Sequence, residues 1–184
     1  MGNFTIMIKQ IVVGIIFSLA FTTSAQEWNQ DNLETNVVFT IKNFGLNVDG
    51  NFNDVKINTN LNTNQLSKSY INAEIVVKSI STGIESRDDH ILKTAYFDEK
   101  NYNKIQLKSS KIEKNKDETF SLLAVLIIKG ISKNIKVPLE ILEKEERLLI
   151  SSNFTINRKD FNMNGGGFVL SNMVKISVKF TGKK

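Results

Sequence analysis

From Val37 onward the chain is a succession of short segments in which apolar and polar residues alternate. Val37, Phe39 and Ile41 share one face, followed after Phe44-Gly45 by Leu46, Val48, Gly50 and Phe52. Beyond Asn53-Asp54, where the chain is expected to turn, Val55, Ile57, Thr59 and Leu61 continue the pattern, and Ile71, Ala73, Ile75 and Val77 repeat it. Later runs are Ile105-Leu107-Ser109, Ile135-Val137-Leu139-Ile141, Leu148-Ile150-Ser152-Phe154-Ile156 and Val174-Ile176-Val178-Phe180. A period of two marks strands with one buried face. Phe120–Ile128 is apolar on both faces and predicts a strand covered on both sides. Glu27 to Glu34 reads as a loose polar lead-in.

One stretch departs from this pattern. Between Ile80 and Asp98, Ser86 is placed to cap a helix whose first turn holds Arg87, Asp88 and Asp89, and Ile91, Leu92, Ala95 and Tyr96 fall at helical spacing. A short helix over Ser86 to Phe97 would close the end of the sheet as a lid. It is also the expected cover for the outer face of Phe120–Ile128, with the N-terminal arm as the alternative.

Many short strands and a single helix predict an all-β fold, an antiparallel sheet closed into a barrel. At 184 residues there is room for one domain. Residues 1–25 are expected to be a signal peptide, with Lys9 before the apolar run Ile11 to Phe21 and small residues at Thr23-Ser24-Ala25, leaving 26–184 as the domain. The absence of cysteine excludes disulfides, thiolate metal sites and lipid attachment through cysteine, so no integral membrane anchor is expected. The net charge of +5 becomes +4 without Lys9 and is carried by scattered lysines. With Arg87, Arg147 and Arg158 the only arginines, no basic patch for nucleic acid is expected.

Candidate chemistry is sparse. His90 is the only histidine, so a zinc site is not expected, and its simplest role is to orient the lid by hydrogen bonding. Arg87 with Asp88, Asp89 or Asp98 could clamp an anionic head group or form an ion pair that pins the lid, with Asp160 as another partner. Asp49-Gly50-Asn51-Phe52-Asn53 begins like a calcium loop but has Asp54 and Asn60 where Gly and Glu are required. Gly165-Gly166-Gly167 lacks the Lys and Ser/Thr of a phosphate loop, and no Gly-x-Ser-x-Gly elbow occurs. No cofactor or metal is expected.

Thr82-Gly83, Arg87-Asp88-Asp89-His90-Ile91 and Tyr96-Phe97-Asp98 with Tyr102 together resemble the central signature of the YceI-like family of periplasmic lipid-binding proteins. Phe39 to Gly45 with Val48 to Phe52 resembles its opening hairpin. Leu126 to Lys133 with Val137-Pro138, and Phe154 to Phe161, resemble its later strands. Asn43, Asn103 and Asn172 stand where that family often carries a His, a Pro and an acidic residue.

The resemblance implies an extended, eight-stranded, lipocalin-like antiparallel β-barrel with one short helix as a lid. It also implies a non-enzymatic role in binding, carrying or sequestering a long-chain amphiphilic lipid in the periplasm, or outside the cell if secreted. A polyisoprenoid, an isoprenoid quinone or a fatty-acid-like chain would fit. The lumen and lid candidates are Phe39, Ile41, Phe52, Ile75, Val77, His90, Tyr96, Phe97, Leu126, Ile128, Phe154, Ile156, Phe168, Ile176 and Val178. Arg87, Asp88 and Arg158 are the candidates for the head group or a lid ion pair. The alternative is a barrel whose lumen is filled by its own phenylalanines, acting as an envelope-stress or protein-partner module and carrying an apolar patch outside. The oligomeric state is left open, a dimer included.

Overall fold

The computed structural model describes residues 27–184, so the expected signal peptide lies outside the described residues. In chain order the elements are β1 (Asn29–Gln30), β2 (Asn36–Asn43), β3 (Leu46–Phe52), β4 (Val55–Thr59), β5 (Ile71–Val76), β6 (Ile80–Ser81), α1 (Glu85–Ile91), β7 (Lys104–Lys114), β8 (Phe120–Ile128), β9 (Ile131–Lys144), β10 (Arg147–Asn157) and β11 (Leu170–Lys183). Short 3-10 turns occupy Leu66–Lys68, Val77–Ser79 and Arg158–Phe161.

Every strand pairing is antiparallel, and hydrogen-bonded neighbours follow the order β4-β5-β7-β8-β9-β10-β11-β2-β3-β6, with β1 on β11. Among the described residues there are eleven strands rather than the eight expected: two bends split two strands in two, and the short arm strand β1 is the third addition. Asn53-Asp54 is not a hairpin: β3 pairs with β2 and β6, whereas β4 pairs with β5. Leu46–Thr59 is therefore one bent strand that changes partner at a corner. The segment Ile71–Ser81 bends alongside it through the 3-10 turn at Val77–Ser79. Asn53 N–H donates to Ser79 O at 3.0 Å and Val76 N–H to Asp54 O at 3.0 Å across the corner. Counted as continuous strands, these two and the six others make a barrel of eight, the bends turning the sheet as corner strands do.

The N-terminal arm is not loose. As β1 it pairs with the end of β11, Asn29 opposite Lys183 and Gln30 opposite Gly182. Trp28 donates from its backbone N–H to Thr59 O at 3.0 Å and from Nε1 to Leu61 O at 2.8 Å. The Gln30 side chain accepts from Ile57 N–H at 2.6 Å and donates to Val55 O at 2.8 Å. The arm thus lies between β11 and β4 and supplies both with hydrogen bonds.

The core divides into two clusters along the barrel. Around Trp28, Leu61, Leu122, Leu148 and Phe180 one end is packed shut. Toward the other end, Phe52, Val77, Leu126, Phe161 and Met163 form a second cluster, on which Ile91, Leu92 and Phe97 of the lid region pack. The helix ends at Ile91, short of the expected Phe97, and is preceded by Ile84 with no side-chain cap, so Ser86 lies inside it. The lid chain packs on this inner cluster, and the outer face of β8 is covered differently. Leu123, Val125 and Ile127 are half-buried there, with Lys111 and Lys136 opposite Leu123, Lys108 and Asn134 opposite Val125, and Gln106 and Ser132 opposite Ile127. Aliphatic stems of polar side chains can cover such a stripe while their ends stay in water.

The arm generates a prediction. Gln30→Ala would leave the Ile57 N–H and Val55 C=O without their partner and should lower stability by roughly 1–3 kcal/mol in urea unfolding. Amide exchange at Ile57 should accelerate with it. An unchanged midpoint with unchanged exchange would show that the arm lies against the barrel without securing its edge.

Candidate functional site

The lumen is not filled. An elongated cavity of about 330 Å³ is lined along its whole length by inward residues from every long strand, from Phe180, Ile150 and Leu139 at the packed end to Asn43, Thr82 and Leu170 at the other. Ile150, Ser152, Phe154 and Ile156 mark its extent on β10, about 20 Å at ~3.3 Å per residue. The lining faces are those expected from the alternation, because a side-chain period of two leaves little freedom once one face is buried.

Small inner residues leave the space. Gly50 lies opposite Phe39 in the β2–β3 pair, and a Cβ there would meet the Phe39 ring at 2.3 Å. The ring therefore lies over Gly50, against the wall. The rings of Phe39 and Phe52 are 5.7 Å apart, and Phe52 meets Phe97 of the lid region edge-on at 6.2 Å. Ala73 and Ser152 keep the wall thin elsewhere, and the Ser152 hydroxyl is occupied in donating to Pro138 O at 2.6 Å.

All other polar lining side chains sit at the end opposite Trp28: Asn43, Thr82, Arg87, His90, Tyr96 and Arg158. This is the mouth, built from the end of β2, the lid helix and the turns that follow β6, α1 and β10. Asp88 turns back to accept from both the backbone N–H (2.9 Å) and the hydroxyl (2.5 Å) of Thr82. Arg87 donates from Nε to Thr82 Oγ1 at 2.7 Å and from Nη2 to Thr82 O at 2.6 Å. Thr82 is thus the node that fixes the start of the lid. The expected ion pair of Arg87 with Asp88, Asp89, Asp98 or Asp160 is not formed. Asp98 accepts instead from the Asn101 side chain at 3.0 Å.

Arg158 is buried, 2 % exposed, and its guanidinium is held by neutral groups only. It donates to Ser171 O at 2.8 Å, Leu170 O at 3.1 Å and Met163 O, with Asn172 Oδ1 at 3.5 Å. Burial lowers its pKa from the ordinary value, partly offset by Tyr96, yet an arginine stays protonated in proteins. Among the described residues neither Arg87 nor Arg158 joins an ion pair. The mouth therefore holds two cations outside any direct ion pair, Arg87 being linked to the Asp88 carboxylate only through the Thr82 hydroxyl they share.

The lid is tied across the mouth to the glycine-rich loop. Gly165 N–H donates to Ala95 O at 2.9 Å, and Lys129 Nζ donates to Thr94 O at 2.6 Å and Asn162 O at 3.1 Å. Tyr96 lies directly on Gly165, where a Cβ would meet its ring at 2.3 Å, and stands edge-on to His90 at 5.1 Å.

Of the residues singled out from the sequence, the structure brings Phe39, Ile41, Phe52, Ile75, His90, Tyr96, Phe97, Leu126, Ile128, Phe154, Ile156, Ile176 and Val178 to the cavity wall, with Arg87 and Arg158. Three lie elsewhere. Phe168 is fully exposed on the glycine-rich loop, because the positive φ angles at Gly166 and Gly167 carry the loop outward before β11 begins. Val77 is 1 % exposed and packs in the cluster of Phe52, Leu126 and Phe161, turned off the wall by the 3-10 turn it opens. Asp88 supports Thr82 and does not line the cavity. Sequence reasoning missed Thr82, Met163 and Leu170, which lie in or beside loops where no period exists. It also passed over Lys129, whose tie between two loops has no local signature.

The sequence matches the YceI-like domain over residues 28–182. Comparison with curated protein sequences gives no match. Among solved structures, BcnA of Burkholderia cenocepacia is similar with a TM-score of 0.78 at 20 % identity, covering 83 % of this chain and 99 % of that one. The YCEI protein of Campylobacter jejuni aligns at TM-score 0.68 and 24 % identity, covering 76 % and 86 %. A domain from Saccharophagus degradans described as polyisoprenoid-binding aligns at 0.68 and 14 % identity, covering 85 % and 97 %. These likenesses extend the barrel fold to distant sequences, and the domain match, spanning the barrel from the arm to the end of β11, places this chain in the YceI-like family.

Proposed function

We propose that this chain is a non-enzymatic binding protein for a long-chain amphiphilic lipid, which it carries or sequesters outside the cytoplasm. The observation that carries this reading is the polarity of the cavity: an apolar lumen closed at one end, with its charged and hydrogen-bonding side chains gathered at the mouth. A chain drawn into the lumen would gain about 0.8 kcal/mol per methylene removed from water. A volume near 330 Å³ falls at the lower end of small-molecule sites, about 300–1,000 Å³, and its elongated shape suits a single chain. The description of the Saccharophagus degradans domain as polyisoprenoid-binding supports an isoprenoid occupant here, with a quinone tail or fatty-acyl chain of the same shape as alternatives.

Arg87 and Arg158 favour an anionic head group, a phosphate or carboxylate. A guanidinium already bonded to neutral oxygens keeps its full charge for a ligand, and charge-assisted hydrogen bonds are the strong ones. The apolar run before Ala25 supports export, and the periplasm is the setting that the family resemblance favours. The His90 side chain, expected to orient the lid by hydrogen bonding, makes no hydrogen bond among the described residues; it stands edge-on to Tyr96 at the mouth, and no chemistry is assigned to it.

Three measurements test this. Organic extraction of natively purified protein followed by mass spectrometry should release one class of long-chain lipid, and Val178→Phe, which narrows the lumen, should release much less while folding normally. Recovery of no lipid from repeated native preparations, with no uptake of a fluorescent polyisoprenoid or fatty-acid probe, would overturn the reading. Arg87→Gln should weaken a fatty-acid or polyprenyl-phosphate probe about tenfold or more relative to the matching alcohol, as expected for ~1.5–3 kcal/mol in a charged hydrogen bond, any loss common to both reporting the Thr82 node. Equal losses for acid and alcohol would remove the anionic head group. Gly165→Ala should displace Tyr96 and speed probe release several-fold with little change in melting temperature; an unchanged release rate would show that Tyr96 does not gate the mouth.

A further inference from the structure

Among the described residues, a group of exposed apolar side chains gathers where the cavity opens, while Leu33, Leu142 and Leu149 are exposed elsewhere. Phe44 and Leu46, at the tip of the β2–β3 hairpin, are 75 % and 73 % exposed, and Phe168 and Val169 project from the glycine-rich loop. The two tips are joined, since the Phe44 N–H donates to Val169 O at 2.9 Å. They are continuous with the mouth: Asn43 and Leu170, adjacent to them in the chain and paired with each other, both line the cavity. Leu46 lies opposite Asn43 and so projects from the lumen-side face of the hairpin. Ile84, 51 % exposed at the start of the lid, adds to the rim.

The backbone gives a second, independent observation. Phe44 and Gly45 form a two-residue turn with φ of +50° and +81°. The first position of such a turn suits Asn or Asp, and a bulky side chain at positive φ is an outlier. Here that strained position holds a phenylalanine standing in solvent. Neither turn chemistry nor core packing accounts for it, and strain retained at an exposed site points to a role in binding. Ionisable groups on the segments that form the mouth are mixed in sign, Lys42, Arg87, Lys93, Lys129 and Lys159 with the buried Arg158 against Glu85, Asp88, Asp89 and Asp160, so the rim is not built for a strongly charged partner.

We propose that this rim docks on a lipid bilayer. Phe44, Leu46, Phe168 and Val169 enter the interfacial region with the mouth facing the membrane, so that an amphiphile passes between bilayer and lumen without crossing water. The choice of a bilayer as occupant rests on the lipid-carrier reading above, because the patch borders the opening through which such a ligand must come and go. Large exposed apolar patches mark interaction or membrane sites, and burial of apolar side chains supplies affinity at a bilayer surface.

The test uses the chain from Gln26 onward, which holds every described element, with vesicles of phosphatidylcholine alone or mixed with phosphatidylglycerol. The protein should co-float with both, and raising the salt should change little. The double variant Phe44→Asn, Phe168→Ser should lower partitioning at least tenfold while its melting temperature and its affinity for a soluble fatty-acid probe are kept. Phe168→Trp should be quenched by brominated lipid, whereas the native Trp28, about 40 Å away along β11, should not. Failure of the wild type to float, or equal flotation of the double variant, overturns docking. So does a wild-type dimer that the double variant breaks in the absence of vesicle binding, which would assign the patch to a second copy of the chain. Flotation by a protein that never binds an amphiphile would uphold docking and overturn the carrier reading alone.

Discussion

The structure depends on a sheet that must close before its apolar face can leave water. Eight antiparallel runs carry one apolar face each, and left open they would expose two edges and half of that face. Closure is achieved at the corner where Leu46–Thr59 and Ile71–Ser81 bend together, each spending its first half on one side of the barrel and its second on the other. At the packed end the ladder between β2 and β3 runs out, and β1 takes up the hydrogen-bonding groups of β11 and β4. What the closed sheet encloses then depends on side-chain size. Phe180, Leu148 and Trp28 fill one end, while Gly50, Ala73 and Ser152 on the wall leave a channel past Phe39 and Phe154.

That inequality of the two ends gives the molecule a direction. At the packed end the polar groups, backbone and side chain alike, are already paired, as Trp28 Nε1 is with Leu61 O and the Thr59 hydroxyl with Tyr70 O. At the mouth, two arginines, a histidine and a tyrosine line the opening among carbonyls. A ligand apolar throughout would leave the mouth side chains to bury against hydrocarbon, and a polar ligand would gain nothing from the lumen. An amphiphile satisfies both ends at once, tail inward. The direction of the cavity and the position of the exposed phenylalanines agree with the proposal that ligand is exchanged at this one opening.

How much of this was legible in the sequence follows from where periodicity operates. The wall of the lumen could be read directly: inward parity from Val37 through Phe180 is carried by the alternation, the helical spacing of Ile91, Leu92, Ala95 and Tyr96 pointed to the lid, and the family resemblance added the eight-strand count. The corner at Asn53-Asp54 could not be distinguished from a hairpin turn, since the same residues serve either and only the pairing partners decide. The outer face of β8 was read as needing a separate cover because a linear pattern does not show that lysines on both neighbouring strands lie opposite Leu123. Phe168 and Val77 were misplaced for a related reason. Each sits where the backbone leaves the strand period, in a loop turned by glycine φ angles or in a 3-10 turn, and parity no longer fixes direction there. The Thr82 node and the Lys129 tie join segments distant in the chain, which no local pattern encodes.

The lid is the part of the structure with the least stability of its own. A helix of seven residues does not hold in water alone, and α1 has no buried residue and no side-chain cap. Its order is imposed by the rim through the bonds of Thr82 to Asp88 and Arg87, the Lys129 tie, the Gly165 N–H and the half-buried Ile91, Leu92 and Phe97. Bonds of this kind contribute about 0.5–1.5 kcal/mol each, small beside the core that holds the barrel. The mouth can therefore open by local rearrangement while the strands stay paired. Arg87 belongs to the node that holds the lid as well as to the lining that would meet a head group. On the proposed function, an anion engaging Arg87 would act on the Thr82 node directly, and occupancy of the lumen would be coupled to closure of the lid through that one side chain.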